Sequence, residues 1–326
     1  MRNRKVAILG TRYQNFDIEA SILDSLGVEI VFGSGKDHDA IVRESQGAEI
    51  ILAGAAPKFD RETLATLTCR GIVRYGVGTE SIDLAAAKDL GIWVSRVADY
   101  GTEAVATHAV ALALSASRKI READAIVRSG SWGFADLRPL HLPSAMTVGV
   151  VGTGRIGRHA AQQFVGLGFK VLTYDIIPPA QSIAGTTFVP SMHDLIEQSN
   201  IISLHVPGAQ DGTPLIGKFE LGLFQLDSIL VNTSRGSLIN KLELIEALAA
   251  NRLGMAALDV FEKEPINFAE YEAVADKILF SPHMAWYTEE SEADLRTKAA
   301  QEAFRLLSGE KPREIVVEPT SEKARA

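Results

Sequence analysis

One short segment constrains this chain more than any other. Gly152-Thr-Gly154-Arg-Ile-Gly157 has the form G-x-G-x-x-G and sits between two different hydrophobic rhythms. Before it, Thr147-Val-Gly-Val-Val151 is a β-branched run that reads as a buried strand. After it, Arg158 to Gly166 reads as a helix, and the next strand ends in Tyr174-Asp175. Asp175 lies 18 residues beyond Gly157. A glycine turn between strand and helix, with an acidic residue closing the second strand, is the complete βαβ unit that a dinucleotide requires. Gly152 permits the tight turn, Gly154 lets backbone approach a pyrophosphate, and Gly157 lets helix and strand pack closely. The helix N-terminus offers unpaired N–H groups to the phosphates. Asp175 can accept hydrogen bonds from a ribose diol, which selects NAD over its 2′-phosphorylated form.

The unit is one part of a longer alternation. The first hundred residues place short apolar runs at Val6–Leu9, Val28–Phe32, Ala48–Ala53, Gly71–Tyr75 and Ile92–Val94, with helical spacing between them. A long helix is expected from about Thr102 to Arg128, then an irregular arm from Ser129 to Ser144 containing Trp132 and Pro139. From Thr147 the pattern predicts six strands, the later ones at Val171–Tyr174, Ile201–Val206, Ser228–Asn232, Met255–Asp259 and Lys277–Phe280. A last helix is expected over about Glu289–Leu307, then Glu314–Val317 and a polar tail from Glu318 that is expected to fray. Alternation of this kind implies α/β architecture with parallel sheets. At roughly 100–200 residues per domain, 326 residues suggest two domains.

Composition narrows the function. Hydrophobic residues at 46% and charged residues at 23% exclude a disordered chain. The net charge of −8, without a Lys/Arg-rich run, argues against nucleic acid or an anionic membrane as partner. The N-terminal apolar run, Val6 to Leu9, is shorter than the ~7–15 residues of an export signal. The uncharged stretch Ala104–Ser117 falls short of the ~20 residues that span a bilayer, so a buried helix is expected there. A single cysteine, Cys69, excludes an intrachain disulfide and a multi-cysteine metal site. A cytoplasmic setting is expected.

Three later strands end in chemistry-bearing residues: Arg235 in Asn232-Thr-Ser-Arg-Gly236, Glu264 before Pro265, and His283 after Pro282. Strand ends of this kind form the ligand edge of an open α/β sheet. The set suits hydride reduction of a 2-keto acid. Arg235 can fork onto a carboxylate and polarise a ketone. His283 can donate the proton, and Glu264 can favour the protonated imidazole. Gly76-Val77-Gly78, also after a strand, exposes N–H groups that can hold a small anion. Among the remaining histidines, His38, His108, His141, His159, His193 and His205, only His205 ends a strand of the second sheet and can line the cofactor cleft. No metal site is expected, and no G-x-S-x-G nucleophile elbow occurs.

The order and spacing of Gly152–Gly157, Asn232–Gly236, Ala257-Leu-Asp-Val-Phe-Glu-Lys-Glu-Pro265 and Pro282-His283 resemble the D-isomer-specific 2-hydroxyacid dehydrogenases over nearly the whole chain. The resemblance implies a catalytic trio of Arg235, Glu264 and His283. It implies a discontinuous, flavodoxin-like substrate domain, 1–101 plus 287–326, with a Rossmann cofactor domain, 102–286, inserted. On the same resemblance the expected NAD contacts are Gly152, Gly154, Arg155, Ile156, Gly157, Asp175, His205, Val206, Pro207, Thr213, Thr233, Arg235, Asp259 and His283. Arg74, Val77, Gly78, Arg235, His283 and Trp286 are the expected substrate contacts. Thr79-Glu80-Ser81 depart from the family's usual residues before Ile82-Asp83. Arg74 and Pro282-His-Met-Ala-Trp-Tyr287 resemble in particular the C-terminal binding proteins, NAD(H)-binding corepressors on a dehydrogenase scaffold. That sub-pattern implies Trp286 as a pocket wall and Arg74 as a second carboxylate ligand. The expected activity is NAD-dependent oxidoreduction of a small D-2-hydroxy acid and its 2-keto acid, by a homodimer. The alternative is an NAD(H)-sensing binding protein on the same scaffold.

Overall fold

The structure is a computed structural model, and it describes residues 4–13, 15–209 and 211–320. It divides into two compact units, Met1–Gly101 with Thr288–Ala326, and Thr102–Tyr287. In the first unit β1 (Arg4–Leu9), β2 (Val28–Gly33), β3 (Ile50–Ala53), β4 (Gly71–Arg74) and β5 (Trp93–Arg96) alternate with α1 (Asp17–Leu23), α2 (His38–Glu44), α3 (Arg61–Thr66) and α4 (Leu84–Asp89). Three of these helices start on an aspartate whose carboxylate accepts a backbone N–H of the first turn. Asp37 caps α2, Asp60 caps α3 and Asp83 caps α4, each at 2.8 Å.

The second unit opens with α5 (Thr102–Ser117) and α6 (Ile120–Arg128). The single helix expected across 102–128 is therefore two. Lys119 adopts a left-handed conformation at φ +50° and ends the first helix. The physical cause is a change of environment. Ala106, Ala109, Val110 and Ala113 bury α5 in the core, whereas α6 buries no residue. The chain leaves the core at Lys119 without a glycine or proline to announce it. The strands β6 (Thr147–Val151), β7 (Lys170–Tyr174), β8 (Thr186–Phe188), β9 (Ile201–Leu204), β10 (Ile229–Asn232), β11 (Met255–Leu258) and β12 (Ile278–Phe280) follow, with α7 (Arg155–Gly166), α8 (Met192–Glu197), α9 (Lys218–Leu223) and α10 (Lys241–Ala249). The chain then returns to the first unit through α11 (Glu289–Leu307) and β13 (Ile315–Val317). Residues 321–326 of the polar tail, expected to fray, lie outside the described residues.

The first unit holds a six-stranded sheet in the order β13-β5-β4-β3-β1-β2, parallel except for β13, which pairs antiparallel with β5. The second holds a seven-stranded parallel sheet, β12-β11-β10-β9-β6-β7-β8. The sequence pattern predicts six strands there. The seventh, β8, is a three-residue edge strand whose Thr186-Thr-Phe188 carries too little hydrophobic signal to be read alone. Successive residues of the central strands face opposite sides. Val148, Val150, Val231 and Ala257 pack toward α5 and α7, while Ile202, Leu204, Leu230 and Leu258 pack into a separate core with Leu195, Leu221 and Leu248. Burial on both faces is what makes these strands continuous apolar runs. The strand order reverses between β6 and β9, the crevice where open α/β sheets bind ligands.

Candidate active site

In the second unit the glycine-rich turn leaves β6 at that reversal. A side chain on Gly157 would meet the Gly152 carbonyl oxygen at 1.9 Å, so only glycine lets α7 approach the turn so closely. Gly154, the N-cap of α7, has nothing within 4 Å of the place a side chain would occupy. The turn is therefore closed on its helix side and open above Gly154, followed directly by Arg155 and Ile156. Asp175 follows β7 and reaches back to the turn. Its Oδ2 accepts hydrogen bonds from Thr153 N at 2.6 Å and Thr153 Oγ1 at 3.0 Å, and its Oδ1 accepts from Ile177 N at 3.1 Å. Burial would raise its pKa, but these bonds outweigh burial and hold the carboxyl below its ordinary value. Oδ2 thus has both lone pairs engaged by Thr153, and Oδ1 retains one for a further donor.

Two buried polar atoms at neighbouring strand ends have no hydrogen-bond partner among the described residues: His205 Nδ1 after β9 and Thr233 Oγ1 after β10. His205 Nε2 pairs with Ser203 Oγ at 2.9 Å, and burial pulls the imidazole pKa down to about 4. The ring is therefore neutral under ordinary conditions. Buried polar atoms without partners are uncommon, and His205 lies directly against the glycine turn, its Cβ 3.2 Å from the place a side chain on Gly157 would occupy. Val206 and Pro207 continue from His205 along this edge. Thr213 is exposed, and its N–H donates to Asp211 Oδ1 at 3.0 Å. The open turn and the two unsatisfied atoms fit a dinucleotide.

Arg235 follows β10 on a loop fixed by Asn232. Asn232 Oδ1 accepts from Ser234 N at 3.0 Å, and its Nδ2 donates to the Arg235 carbonyl at 2.8 Å. Arg235 Nη1 donates to Ser234 O at 2.8 Å. A side chain on Gly236 would strike the Phe261 backbone at 1.9 Å, so the Arg235 loop packs directly on the segment leading to Glu264. There Glu264 Oε1 accepts from Phe261 N at 2.8 Å, and Oε2 lies 2.6 Å from His283 Nδ1.

The pair shifts both groups. The hydrogen bond to Glu264 raises the His283 pKa against the opposing effect of burial, with further support from the Glu264 and Asp259 charges and opposition from Arg235. Burial pushes Glu264 up, but the bonds from His283 and Phe261 and the charges of His283 and Arg235 bring it below its ordinary value. Arg235, Glu264 and His283, predicted from separate strand ends, are thus within electrostatic reach of one another. Asp259, also predicted, is fully buried. Half-buried Trp286 stands edge-on to Tyr287, with ring centroids 5.6 Å apart.

In the first unit, Arg74 ends β4, and its Nη1 donates to the carbonyl of Tyr75 and, at 3.4 Å, to that of Ala53. The guanidinium thus braces the Tyr75–Gly78 turn. The exposed Val77 gives its carbonyl to Arg96 Nη1 at 3.4 Å. A side chain on Gly76 would meet Tyr100 Oη at 3.5 Å and Arg74 Nη1 at 3.6 Å. Sequence reasoning missed Tyr100 at this turn, and it missed Thr153 beneath Asp175. Thr153 lies inside the fingerprint, where its hydroxyl and N–H were the available signal.

Comparison with known proteins agrees with this architecture. Residues 110–285 match the family described as D-isomer specific 2-hydroxyacid dehydrogenase, NAD binding domain. The chain is 35% identical over 268 residues to a glyoxylate reductase of Thermococcus litoralis, covering 79% of this chain and 80% of that protein. It is 32% identical over 299 residues to a D-3-phosphoglycerate dehydrogenase of Archaeoglobus fulgidus, covering 91% of this chain but 56% of the relative. The chain therefore spans little more than half the length of that enzyme. The apo structure of D-lactate dehydrogenase from Escherichia coli superposes with a TM-score of 0.85 at 28% identity, covering 96% of this chain and 100% of the other. The two parallel-sheet units, the glycine turn and these matches lead to one assignment: the chain belongs to the D-isomer specific 2-hydroxyacid dehydrogenase family, and residues 110–285 are its NAD-binding domain.

Proposed function

We propose that the protein is an NAD-dependent D-2-hydroxyacid dehydrogenase acting on a small 2-keto acid and its D-2-hydroxy acid. The observation that carries this reading is the 2.6 Å pair of His283 and Glu264 with Arg235 in electrostatic reach. The cofactor, when bound, supplies the hydride in the reductive direction. Arg235 offers a planar, permanently charged fork to the substrate carboxylate and draws electron density from the ketone oxygen. His283 donates the proton that this oxygen needs as it becomes a hydroxyl. Glu264 orients the imidazole and keeps it protonated. In the oxidative direction the same imidazole accepts the proton.

The glycine turn, Arg155, Ile156, Asp175, His205, Val206, Pro207, Thr213, Thr233 and Asp259 are the proposed cofactor contacts, with Arg235 and His283. The unsatisfied His205 Nδ1 and Thr233 Oγ1 support this set. Within the first unit, the turn of Arg74, Val77 and Gly78 is the proposed anion holder, and that unit is the proposed substrate domain. Trp286 is the proposed apolar wall for a substrate tail. The relatives compared are dehydrogenases and reductases by name, and they lend no support to a cofactor-sensing role without turnover.

We also propose a homodimer. Trp132 is 90% exposed, Phe134 and Leu142 are exposed on the same arm, and Ile120 and Val127 are exposed on α6. A contiguous stretch of chain this rich in uncovered large apolar groups fits an interface. No helix among the described residues is long and apolar enough to cross a membrane. The lone, buried Cys69 fits a reducing cytoplasm. The reading is tested by initial rates of NADH oxidation across 2-keto acids of graded size, from glyoxylate upward. Turnover of at least one, giving the D enantiomer where the product is chiral, is expected; an L product would overturn it.

A further inference from the structure

Behind the His283 loop lies a buried polar network around Asp259, two of whose members, Ser281 and His108, have no part in the proposed reaction. The Asp259 carboxylate takes Ser281 Oγ at 2.6 Å and Met284 N at 2.9 Å on Oδ1, and Ala285 N at 2.9 Å on Oδ2. The Asp259 carbonyl accepts the His283 N–H at 2.8 Å. Beyond Ser281, His108 projects from α5. Its Nε2 lies 2.9 Å from Ser281 Oγ and 3.6 Å from Asp259 Oδ1.

Donor counting fixes the direction of these bonds. The Ser281 hydroxyl has one proton, and it goes to the carboxylate. Its oxygen can then only accept from His108, so His108 Nε2 carries a hydrogen. The order is the reverse of a hydrolase triad, in which the hydroxyl proton faces the imidazole. Ser281 is therefore a link and not a nucleophile.

The network has a physical task. His283 sits at φ +53°, in the left-handed region. Non-glycine residues hold this conformation only where their surroundings over-determine it. Residues 281, 283, 284 and 285 all bond to Asp259, which imposes the bend from both sides. Asp259 is in turn held by Ser281, and Ser281 by His108.

We infer that His108 and Ser281 are positioning residues, which set the His283 imidazole against Glu264 by fixing Asp259 beneath the loop. The inference rests on the proposed role of His283 as proton donor. His108→Leu removes the donor, whereas His108→Gln returns an amide N–H near the place of Nε2. The three readouts are NADH affinity by fluorescence titration, kcat and KM with the best keto acid, and the His283 pKa from imidazole proton resonances. His108→Leu and Ser281→Ala are each expected to lower kcat about tenfold, the size expected from losing one buried hydrogen bond. NADH affinity and KM should hold, and the His283 pKa should fall toward that of an ordinary histidine. His108→Gln should restore most of kcat. If the leucine variant does not fold, Ser281→Ala carries the same readouts. Unchanged kcat and His283 pKa would overturn the inference, as would a loss of NADH affinity as large as the loss of kcat. The His283 pKa is read without turnover. A wild type that reduces no keto acid would therefore sink the proposed reaction and leave the positioning claim to the resonance shifts.

Discussion

Nδ1 of His283 and Oε2 of Glu264 are 2.6 Å apart, and each moves the other's proton equilibrium. His283 is raised and Glu264 is lowered. A raised histidine stabilises the fold fully below its unfolded pKa, and that contribution fades as pH rises through the folded pKa. A lowered glutamate contributes above its unfolded pKa and fades as pH falls through its folded value. The charged pair is thus complete in the window between the two shifted values. Reduction, which needs imidazolium, should lose rate as pH rises through the raised His283 pKa. In Glu264→Gln the descending limb of kcat/KM should move to lower pH. A limb that stays in place would contradict the pairing. His205, held down to about 4 by burial, should contribute no limb near neutrality.

Arg235→Lys keeps the charge but loses the planar fork. It should raise KM for keto acids strongly and lower kcat, while the melting temperature stays near wild type because the loop is held by Asn232 and Ser234. Wild-type kinetics on the best substrate would remove Arg235 from the site.

Cofactor choice should follow Asp175. A 2′-phosphate would face this carboxylate, and Ile176-Ile-Pro-Pro179 supplies no Arg or Lys to hold it. NADH should be preferred over NADPH by at least about tenfold in kcat/KM, or roughly 1.4 kcal/mol. Asp175→Ala should narrow the gap mainly by weakening NADH, because it also releases Thr153 from the turn. Equal values in the wild type would show that Asp175 does not read the ribose.

Light scattering at micromolar concentration should report twice the mass of one chain. Trp132→Asp, placing a charge on the most exposed large apolar side chain among the described residues, should shift the population toward the single chain. A monomeric wild type would refute the dimer.

Much of this molecule was legible because the signals are local. The glycine fingerprint, the apolar strands and the acidic end of β7 follow one another in sequence, and the trio comes from strand ends that parallel topology must bring to one edge. What escaped was set by tertiary context. The break at Lys119 follows from where the core ends, which no turn residue marks. The edge strand β8 is too short to show a period. The antiparallel β13 depends on pairing with β5, more than two hundred residues earlier. The contact of His108 with Ser281 joins residues 173 apart and leaves no pattern in the chain.

The most direct test compares wild type with His283→Ala in one experiment, measuring NADH binding and keto-acid-dependent NADH oxidation with the best substrate. Both proteins should bind NADH. The wild type should consume it, and the variant should be slower by about 10²–10⁴, the range for a positioned general acid. Equal rates in the two proteins, or binding without consumption by the wild type on every keto acid, would contradict the account.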